Sequence, residues 1–390
     1  MQPSKKNIDI EALRAIGIIF VLIPHSEELF PWGLPILHKL YSFMDFWTGV
    51  DLFFCVSGYI ITRSVLRELS QYGGWRDFAR FAVPFWIRRA WRLWPTAWFW
   101  LTFLLIGSVL FRESGYFGIP VRNFLYQIYA MLHMANIYGY FCKEHLTCGI
   151  NQVYWSLSTE EQFYFLFPIV MFVVPKRWWP AVFAAIFAIQ FPMNRGGSLL
   201  GFMRTDAIAL GALIAIWRDH TSSKEFEPTF LSRRIIAIAV TGFLVIALGA
   251  LGSAAITVVP TSTGLVAVVS GVLVFIASFD RGYIVRSKLA RAVAGYIGSR
   301  SYTLYVVHIP AFITAKEIWF HALPPGTHLD GTYTLRFGLL GLALVIAFTE
   351  LNYRLLENPL RRYGARLAAR KRGTERQNEE GAELPANARA

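Results

Sequence analysis

The sequence predicts an all-α, polytopic membrane protein with about ten transmembrane helices and both termini in the cytoplasm. Three observations indicate this class. Of the 390 residues, 55% are hydrophobic, the mean hydropathy is +0.42, and long apolar runs recur along the chain. The 13 tryptophans and 17 tyrosines suit two interfacial belts. A net charge of +13 would also suit nucleic-acid binding, but the distribution of the charge favours cytoplasmic loops of a membrane protein instead.

The positive charges decide how many of the apolar stretches are counted as spans. If 121–140 is left outside the membrane, most of the 38 lysines and arginines fall in cytoplasmic segments. An additional span there would invert every later loop and abolish this bias, so 113–159 is expected to be one external segment. The predicted spans lie near 9–26, 47–69, 93–112, 160–175, 178–193, 199–217, 234–252, 259–279, 301–321 and 333–353.

Residues 1–365 are expected to form the transmembrane domain. The remainder, 366–390, is charged and rich in alanine, and it is expected to be a disordered cytoplasmic tail.

The first span carries Arg14 near one end and His25 near the other. Eleven positions at about 100° each are three turns plus about 20°, so both side chains share a helix face about 16 Å apart. Ionisable groups inside a membrane usually face the bundle interior or a wet cavity. The pair therefore predicts a channel along this helix, although snorkelling of Arg14 and capping by His25 is an alternative. Pro24 predicts a kink or an end of the helix near His25.

Two motifs place further charges in the second and third spans. Asp51 lies near the external end of span 2, where Ser57-Gly58 permits close helix approach. Three arginines enter span 3 from the cytoplasm, and their forked donors would suit a phosphate clamp. The alternative is a positive-inside anchor. The arginines are Arg88, Arg89 and Arg92.

Two more motifs lie in the second half of the chain. Glu160 and Glu161 open span 4, where they would either favour the helix dipole or orient a histidine. Arg204 and Asp206 in span 6 are expected to neutralise each other. The stretch 301–308 enters span 9 and contains Tyr302 and His308.

The cysteines of the external segment leave two interpretations open. Cys142 and Cys148 would form a disulfide in an oxidising compartment, or they would remain free thiols. Cys55, inside span 2, is expected to be a small core residue.

Taken in their order along the chain, these motifs resemble those of the acyltransferase 3 family of integral membrane acyltransferases. The likeness covers about 7–365 and includes 11–14 with His25, 51–59, 88–95, 156–164, 204–206, 302–308 and 357–362. It implies transfer of an acyl group, most often acetyl from acetyl-CoA, to a hydroxyl of a glycan, a lipid-linked saccharide or another glycosylated acceptor at the bacterial inner membrane. It implies no metal and no nucleic acid. Some members carry an additional esterase-like domain, which is not expected here.

The resemblance and the residues together predict a mechanism. His25 acts as general base, or forms an acyl-imidazole, and Glu160 or Glu161 orients it. Asp51 joins the candidate catalytic residues. The candidate donor-binding residues are Arg14, Arg88, Arg89, Arg92, Tyr302 and His308. Two alternatives are a proton- or anion-coupled transporter and a glycan export or flippase partner.

Overall fold

The computed structural model describes residues 6–69, 77–145, 148–193, 198–220 and 225–383, with side chains as far as Lys371. These residues form helices and no strands, which confirms the all-α prediction. The helices are α1 (Ile8–His25), α2 (Leu34–Tyr41), α3 (Gly49–Leu69), α4 (Phe78–Leu110), α5 (Pro120–Met131), α6 (Ala135–Glu144), α7 (Tyr154–Val173), α8 (Trp179–Gln190), α9 (Leu199–Phe202), α10 (Asp206–Asp219), α11 (Arg234–Leu251), α12 (Ser262–Ala277), α13 (Lys288–Ser299), α14 (Ser301–Ala322), α15 (Thr334–Asn352) and α16 (Asn358–Glu383).

Long apolar helices identify the chain as an integral membrane protein. Among the described residues, four helical stretches are long and apolar enough to cross a bilayer by length and composition. They are Gly49–Leu69, Phe78–Leu110, Arg234–Leu251 and the continuous stretch Gly331–Lys371. The count of ten spans and the cytoplasmic position of the termini stay predictions.

The ambiguous stretch 121–140 is not a single helix. It divides into α5 and α6, and the turn between them contains His133 at a φ of 59°. The 12 residues of α5 rise only about 18 Å, whereas the hydrocarbon core of a bilayer is about 30 Å thick. The two helices are therefore described below as the α5–α6 hairpin.

Helix α1 lies among α3, α12, α13 and α14. Its first turn is capped by Asn7, whose side chain accepts a hydrogen bond from the amide of Ile10 at 3.0 Å. The buried carboxylate of Asp9 accepts hydrogen bonds from the amides of Gly282 and Tyr283, at 2.8 and 3.1 Å. At its other end α1 stops at His25, directly after Pro24, as the proline predicted.

Glycines allow α3 and α10 to cross in close contact. A Cβ atom on Gly58 would lie 2.1 Å from the carbonyl oxygen of Ile208, and one on Gly211 would lie 2.0 Å from that of Cys55. The close approach predicted from Ser57-Gly58 is therefore present. Cys55 is fully buried between these helices, in agreement with the prediction of a core residue.

The end of the chain is helical for as far as the structure describes it. A π-helical turn over Tyr353–Glu357 joins α15 to α16. Helix α16 continues to Glu383, whereas the sequence predicts a disordered tail from residue 366. Residues 384–390 lie outside the described residues.

Candidate active site

Two cavities lie along α1. The arginine pocket contains Arg14, Arg89 and Arg92 together with Glu160, and its volume is about 80 Å³. The histidine cavity is lined by His25 among other residues, and its volume is about 650 Å³. Arg14 and His25, which the sequence predicts to share one helix face, thus each line a cavity.

The arginine pocket holds three guanidinium groups around one carboxylate. Glu160 accepts hydrogen bonds from the hydroxyls of Ser57 and Tyr164. The guanidinium of Arg89 lies over the ring of Tyr164, 4.9 Å from its centroid. Arg14 is mostly buried, and its Nη1 lies 3.3 Å from both carboxylate oxygens of Glu11. The pocket therefore presents planar, positively charged donors that suit an anionic ligand.

Arg88 does not belong to this pocket, so the prediction of a three-arginine clamp is wrong in this respect. Its Nη2 atom donates to both carboxylate oxygens of Glu68, at 3.0 and 3.1 Å. Arg88 and Arg89 are adjacent on α4 and therefore point about 100° apart. Of the three arginines on α4, only Arg89 and Arg92 line the pocket.

The two candidates on α14 occupy different places. Tyr302 lines the arginine pocket, and its hydroxyl donates to the carbonyl oxygen of Leu93 at 2.6 Å. His308, however, lies beside His25, with 5.0 Å between the ring centroids. The structure therefore groups His308 with His25 rather than with the predicted donor-binding arginines.

His25 is oriented by the backbone of its own helix. Its Nδ1 atom lies 2.7 Å from the carbonyl oxygen of Val21. Because a carbonyl oxygen only accepts hydrogen bonds, Nδ1 carries the proton and Nε2 keeps a free lone pair. This is the tautomer that a general base needs at Nε2.

Neither predicted glutamate orients His25, and that prediction is corrected. Glu160 bonds to Ser57 and Tyr164 in the arginine pocket, and Glu161 contacts the Nδ1 atom of His133. Both glutamates belong to α7, whose successive residues point about 100° apart and so reach different neighbours.

A pair of hydroxyls separates the two cavities. The hydroxyl of Tyr305 lies 2.6 Å from Ser156 Oγ and donates to the carbonyl oxygen of Val153 at 2.8 Å. Tyr305 and Ser156 line the arginine pocket, and Val153 lines the histidine cavity. Sequence reasoning missed this barrier, although both hydroxyls lie inside motifs that it had singled out.

The α5–α6 hairpin is docked on α7 by polar contacts that the sequence did not predict. Asn136 and Gln162 exchange two amide hydrogen bonds of 3.0 Å each. Gln162 also donates to the carbonyl oxygen of His133 at 2.7 Å, and Ser158 accepts a hydrogen bond from the amide of Ala135. The turn that carries His133 is therefore held firmly against α7.

Asp51 pairs with Arg204, an arginine that lines the histidine cavity. Its buried carboxylate lies 3.5 Å from Nη2 of Arg204, which lies over the rings of Trp47 and Trp155 at 4.8 and 5.0 Å. The ion pair shown for Arg204 is thus with Asp51 rather than with the predicted Asp206. Arg204 and both tryptophans line the cavity, whereas Asp51 does not.

The outer rim of the histidine cavity includes a disulfide-bonded loop. Cys142 and Cys148 are joined, which decides between the two interpretations left open by the sequence. Gly139 and Lys143 of the adjoining segment line the cavity. On the side of α1, Glu27 also lines it, and burial together with the neighbouring Glu28 raises the pKa of Glu27. Within the described residues, no cluster of metal-ligating side chains accompanies these groups.

Comparison with known proteins finds relatives over most of the chain. A protein named "Putative O-acetyltransferase SACOL0978" from Staphylococcus aureus strain COL is 25% identical over 375 residues. "O-acetyltransferase OatA" of S. aureus strain NCTC 8325 / PS 47 is 23% identical over 380 residues. Each match covers 91% of this chain and 57% of the relative, so the chain spans little more than half of their length. No solved structure matches significantly.

The family model described as an acyltransferase domain matches residues 7–350. This range contains every candidate residue of both cavities and covers most of the chain. The chain therefore belongs to the acyltransferase 3 family.

Proposed function

We propose that this protein transfers an acyl group, most often acetyl, from a cytoplasmic acyl-CoA to a hydroxyl of a glycan or lipid-linked saccharide outside the bacterial inner membrane. The observation that carries this proposal is the pair of cavities along α1, one with three arginines and the other with a histidine in the tautomer of a general base. The O-acetyltransferase names of the relatives support the reaction class.

The arginine pocket is proposed as the entry of the donor. Arg89 and Arg92 would hold phosphate oxygens of CoA, and the pantetheine arm would pass Arg14 towards His25. The separation of about 16 Å between Arg14 and His25 is comparable to an extended pantetheine arm. A volume of about 80 Å³ holds only a few waters, so donor binding would have to widen the pocket and part the Tyr305–Ser156 barrier.

The histidine cavity is proposed as the acceptor site. Its disulfide supports an external position, because structural disulfides persist in oxidising compartments. Its volume of about 650 Å³ falls within the usual range of ligand pockets. The guanidinium of Arg204 and the rings of Trp47 and Trp155 would supply hydrogen-bond donors and flat apolar surface to a saccharide.

In the proposed reaction, His25 Nε2 takes the proton of the acceptor hydroxyl while the acceptor oxygen attacks the thioester carbonyl. The carbon–sulfur bond then breaks, and the proton passes to the sulfur of CoA. An acyl-imidazole on Nε2 would be the two-step version of the same transfer. In both versions, the hydrogen bond from Nδ1 to Val21 keeps the imidazole in position.

The decisive experiment is label transfer by purified protein from radiolabelled acetyl-CoA to candidate glycans. We expect His25→Ala to lower turnover by roughly 10²–10⁴-fold while CoA binding is retained. Near-normal turnover of this variant would remove His25 from the mechanism. The alternatives give different results, because a coupled transporter would move solute without transferring label and an export partner would do neither.

The test of the donor site has a matched control residue, Arg88, on the same helix as Arg89 and Arg92. Arg89→Ala and Arg92→Ala should each weaken CoA binding by about 10–100-fold, since a charge-assisted hydrogen bond contributes about 1.5–3 kcal/mol. Arg88→Ala should leave the affinity nearly unchanged, because Arg88 is paired with Glu68 outside the pocket. Calorimetry on the solubilised variants measures this. Equal losses in all three variants would indicate a general charge effect rather than a binding pocket.

The proposed geometry also requires one orientation in the membrane. In a Cys55→Ala background with the disulfide intact, single cysteines at Glu225 and His328 can be treated with a membrane-impermeant maleimide. The cysteine at Glu225, between α10 and α11, should react only after the inner membrane is opened. The cysteine at His328, between α14 and α15, should react in cells whose outer envelope alone is permeable. The opposite pattern would place the histidine cavity on the cytoplasmic side.

A further inference from the structure

His25, which lines the histidine cavity, lies beside a second imidazole that the proposed reaction does not use. His308 is fully buried in α14. Its ring lies next to that of His25, with 5.0 Å between the centroids and 63° between the planes. This separation places the two rings in direct contact, so a positive charge on one ring is felt by the lone pair of the other.

The backbone fixes both rings in the same tautomer. His308 Nδ1 lies 3.1 Å from the carbonyl oxygen of Leu304, as His25 Nδ1 lies 2.7 Å from that of Val21. Both Nδ1 atoms are therefore donors, and both Nε2 atoms keep a lone pair. In the neutral state the two Nε2 atoms cannot bond to each other, because neither carries a proton.

The Nε2 atom of His308 is buried and has no hydrogen-bond partner among the described residues. Leaving a buried acceptor unsatisfied is unfavourable, and such atoms call for an explanation. The remaining neighbours of the ring are Tyr305 and Phe312, with centroid distances of 5.9 and 6.1 Å. The hydroxyl of Tyr305 is already engaged with Ser156 and Val153.

No carboxylate takes the role of the third member of a hydrolase triad here. In the part of the chain that the structure describes, the hydrogen bonds of both imidazoles go to backbone carbonyls. Beyond this end of α1, Glu28 faces Lys316 with 3.8 Å between their charged atoms. Glu27 lines the histidine cavity, but among the described residues no hydrogen bond joins it to either imidazole. An imidazolium formed at His25 therefore lacks the carboxylate that normally stabilises it.

We infer that His308 takes this place, and that the lone pair at its Nε2 atom stabilises the imidazolium of His25 electrostatically. The inference rests on the proposed function and deepens it. The O–H bond of the acceptor breaks, the N–H bond at His25 Nε2 forms, and that proton stays on His25, facing the reacting atoms, until it passes to the sulfur of CoA. Because the imidazolium exists only once the proton has arrived, the interaction stabilises the transition state and not the resting site.

This inference gives His308 a different role from the donor binding that its sequence motif suggested. A donor-binding residue would affect mainly the KM for acetyl-CoA, whereas a residue that stabilises the imidazolium affects kcat. His308 would therefore be a positioning residue that acts through His25.

Two substitutions test the roles of the two ring nitrogens of His308 separately. His308→Asn keeps an amide N–H near Nδ1, which can still bond to Leu304, but removes the acceptor at the Nε2 end. His308→Gln places an amide oxygen near Nε2 instead. We expect the asparagine variant to lose about 10–100-fold in kcat with the KM for acetyl-CoA within about twofold, as for one interaction with a charged group. The glutamine variant should retain at least several-fold more activity.

His38→Asn on the exposed helix α2 is the control for substituting a histidine, and melting temperatures in detergent confirm that the variants are folded. A wild-type kcat in the asparagine variant, or equal losses in both variants, would refute the role of Nε2. A raised KM for acetyl-CoA with unchanged kcat in the asparagine variant would instead indicate that His308 binds the donor. If the wild type itself transfers no label, the proposed function fails, and this inference fails with it.

Discussion

Replacing Asp51 tests whether this residue is catalytic or holds Arg204. In Asp51→Asn, the side chain keeps its size but loses its charge, and the guanidinium of Arg204 stays buried with 9% of its side chain exposed. At 3.5 Å and an effective dielectric constant of about 20, the attraction between the two charges is about 5 kcal/mol. Breaking a buried pair by removing one partner typically costs about 3–5 kcal/mol.

The contacts of Arg204 with Trp47 and Trp155 are present in both the wild type and the variant, so they do not enter the difference. We therefore expect Asp51→Asn to destabilise the protein by about 3–5 kcal/mol. In the double variant Asp51→Asn/Arg204→Met the buried guanidinium is removed as well, so part of this loss should be recovered.

The assay is unfolding in mixed detergent micelles, followed by tryptophan fluorescence, for the wild type, both single variants and the double variant. The double-mutant cycle then gives the coupling between the two residues. A coupling below about 0.5 kcal/mol would refute the ion-pair reasoning. A stable Asp51→Asn protein without transferase activity would instead support the catalytic role that the sequence suggested for Asp51.

Three further predictions concern packing and the external segment. Gly211→Ala should lower the melting temperature in detergent, because its Cβ would lie 2.0 Å from a backbone oxygen, whereas Gly242→Ala has open space and should not. Glu161→Gln should destabilise the α5–α6 hairpin by about 1–3 kcal/mol, because it weakens the contact of Glu161 with His133. The change would be measured as faster amide hydrogen exchange in α5 and α6, and unchanged exchange would contradict a docking role for this contact. Reduction of Cys142–Cys148 should raise the KM for the acceptor without changing CoA affinity, and an unchanged acceptor KM would exclude this loop from the acceptor site.

Local patterns in the sequence were sufficient to predict much of this arrangement. The spacing of Arg14 and His25 depends only on helix periodicity, and both residues line cavities along α1. Likewise, Pro24 predicted the end of the first helix, and Ser57-Gly58 predicted a close crossing. In each case the physical cause lies within one helix, so no tertiary information was needed.

The choice of partners could not be predicted in the same way. Glu160 and Glu161 are chemically equivalent in the sequence, and only the packing of α7 sends one to the arginine pocket and the other to His133. Arg204 has Asp206 two positions away, yet its ion pair crosses to Asp51 on another helix. For the group that orients His25 in catalysis, the sequence argument considered only carboxylates, and it gave the helix backbone as a partner only in the capping alternative.

The crowded polar face of α7 restricts how this family of sequences can diverge. From Ser156 to Gln162 the helix contacts α14, the α5–α6 hairpin, α3 and the arginine pocket in turn. Inserting or deleting one residue there would rotate every later side chain by about 100° and shift it by about 1.5 Å, so all later contacts would fail together. In natural variants, this segment should therefore change by paired substitutions at constant length, whereas the exposed loop around Gly326 can change its length freely.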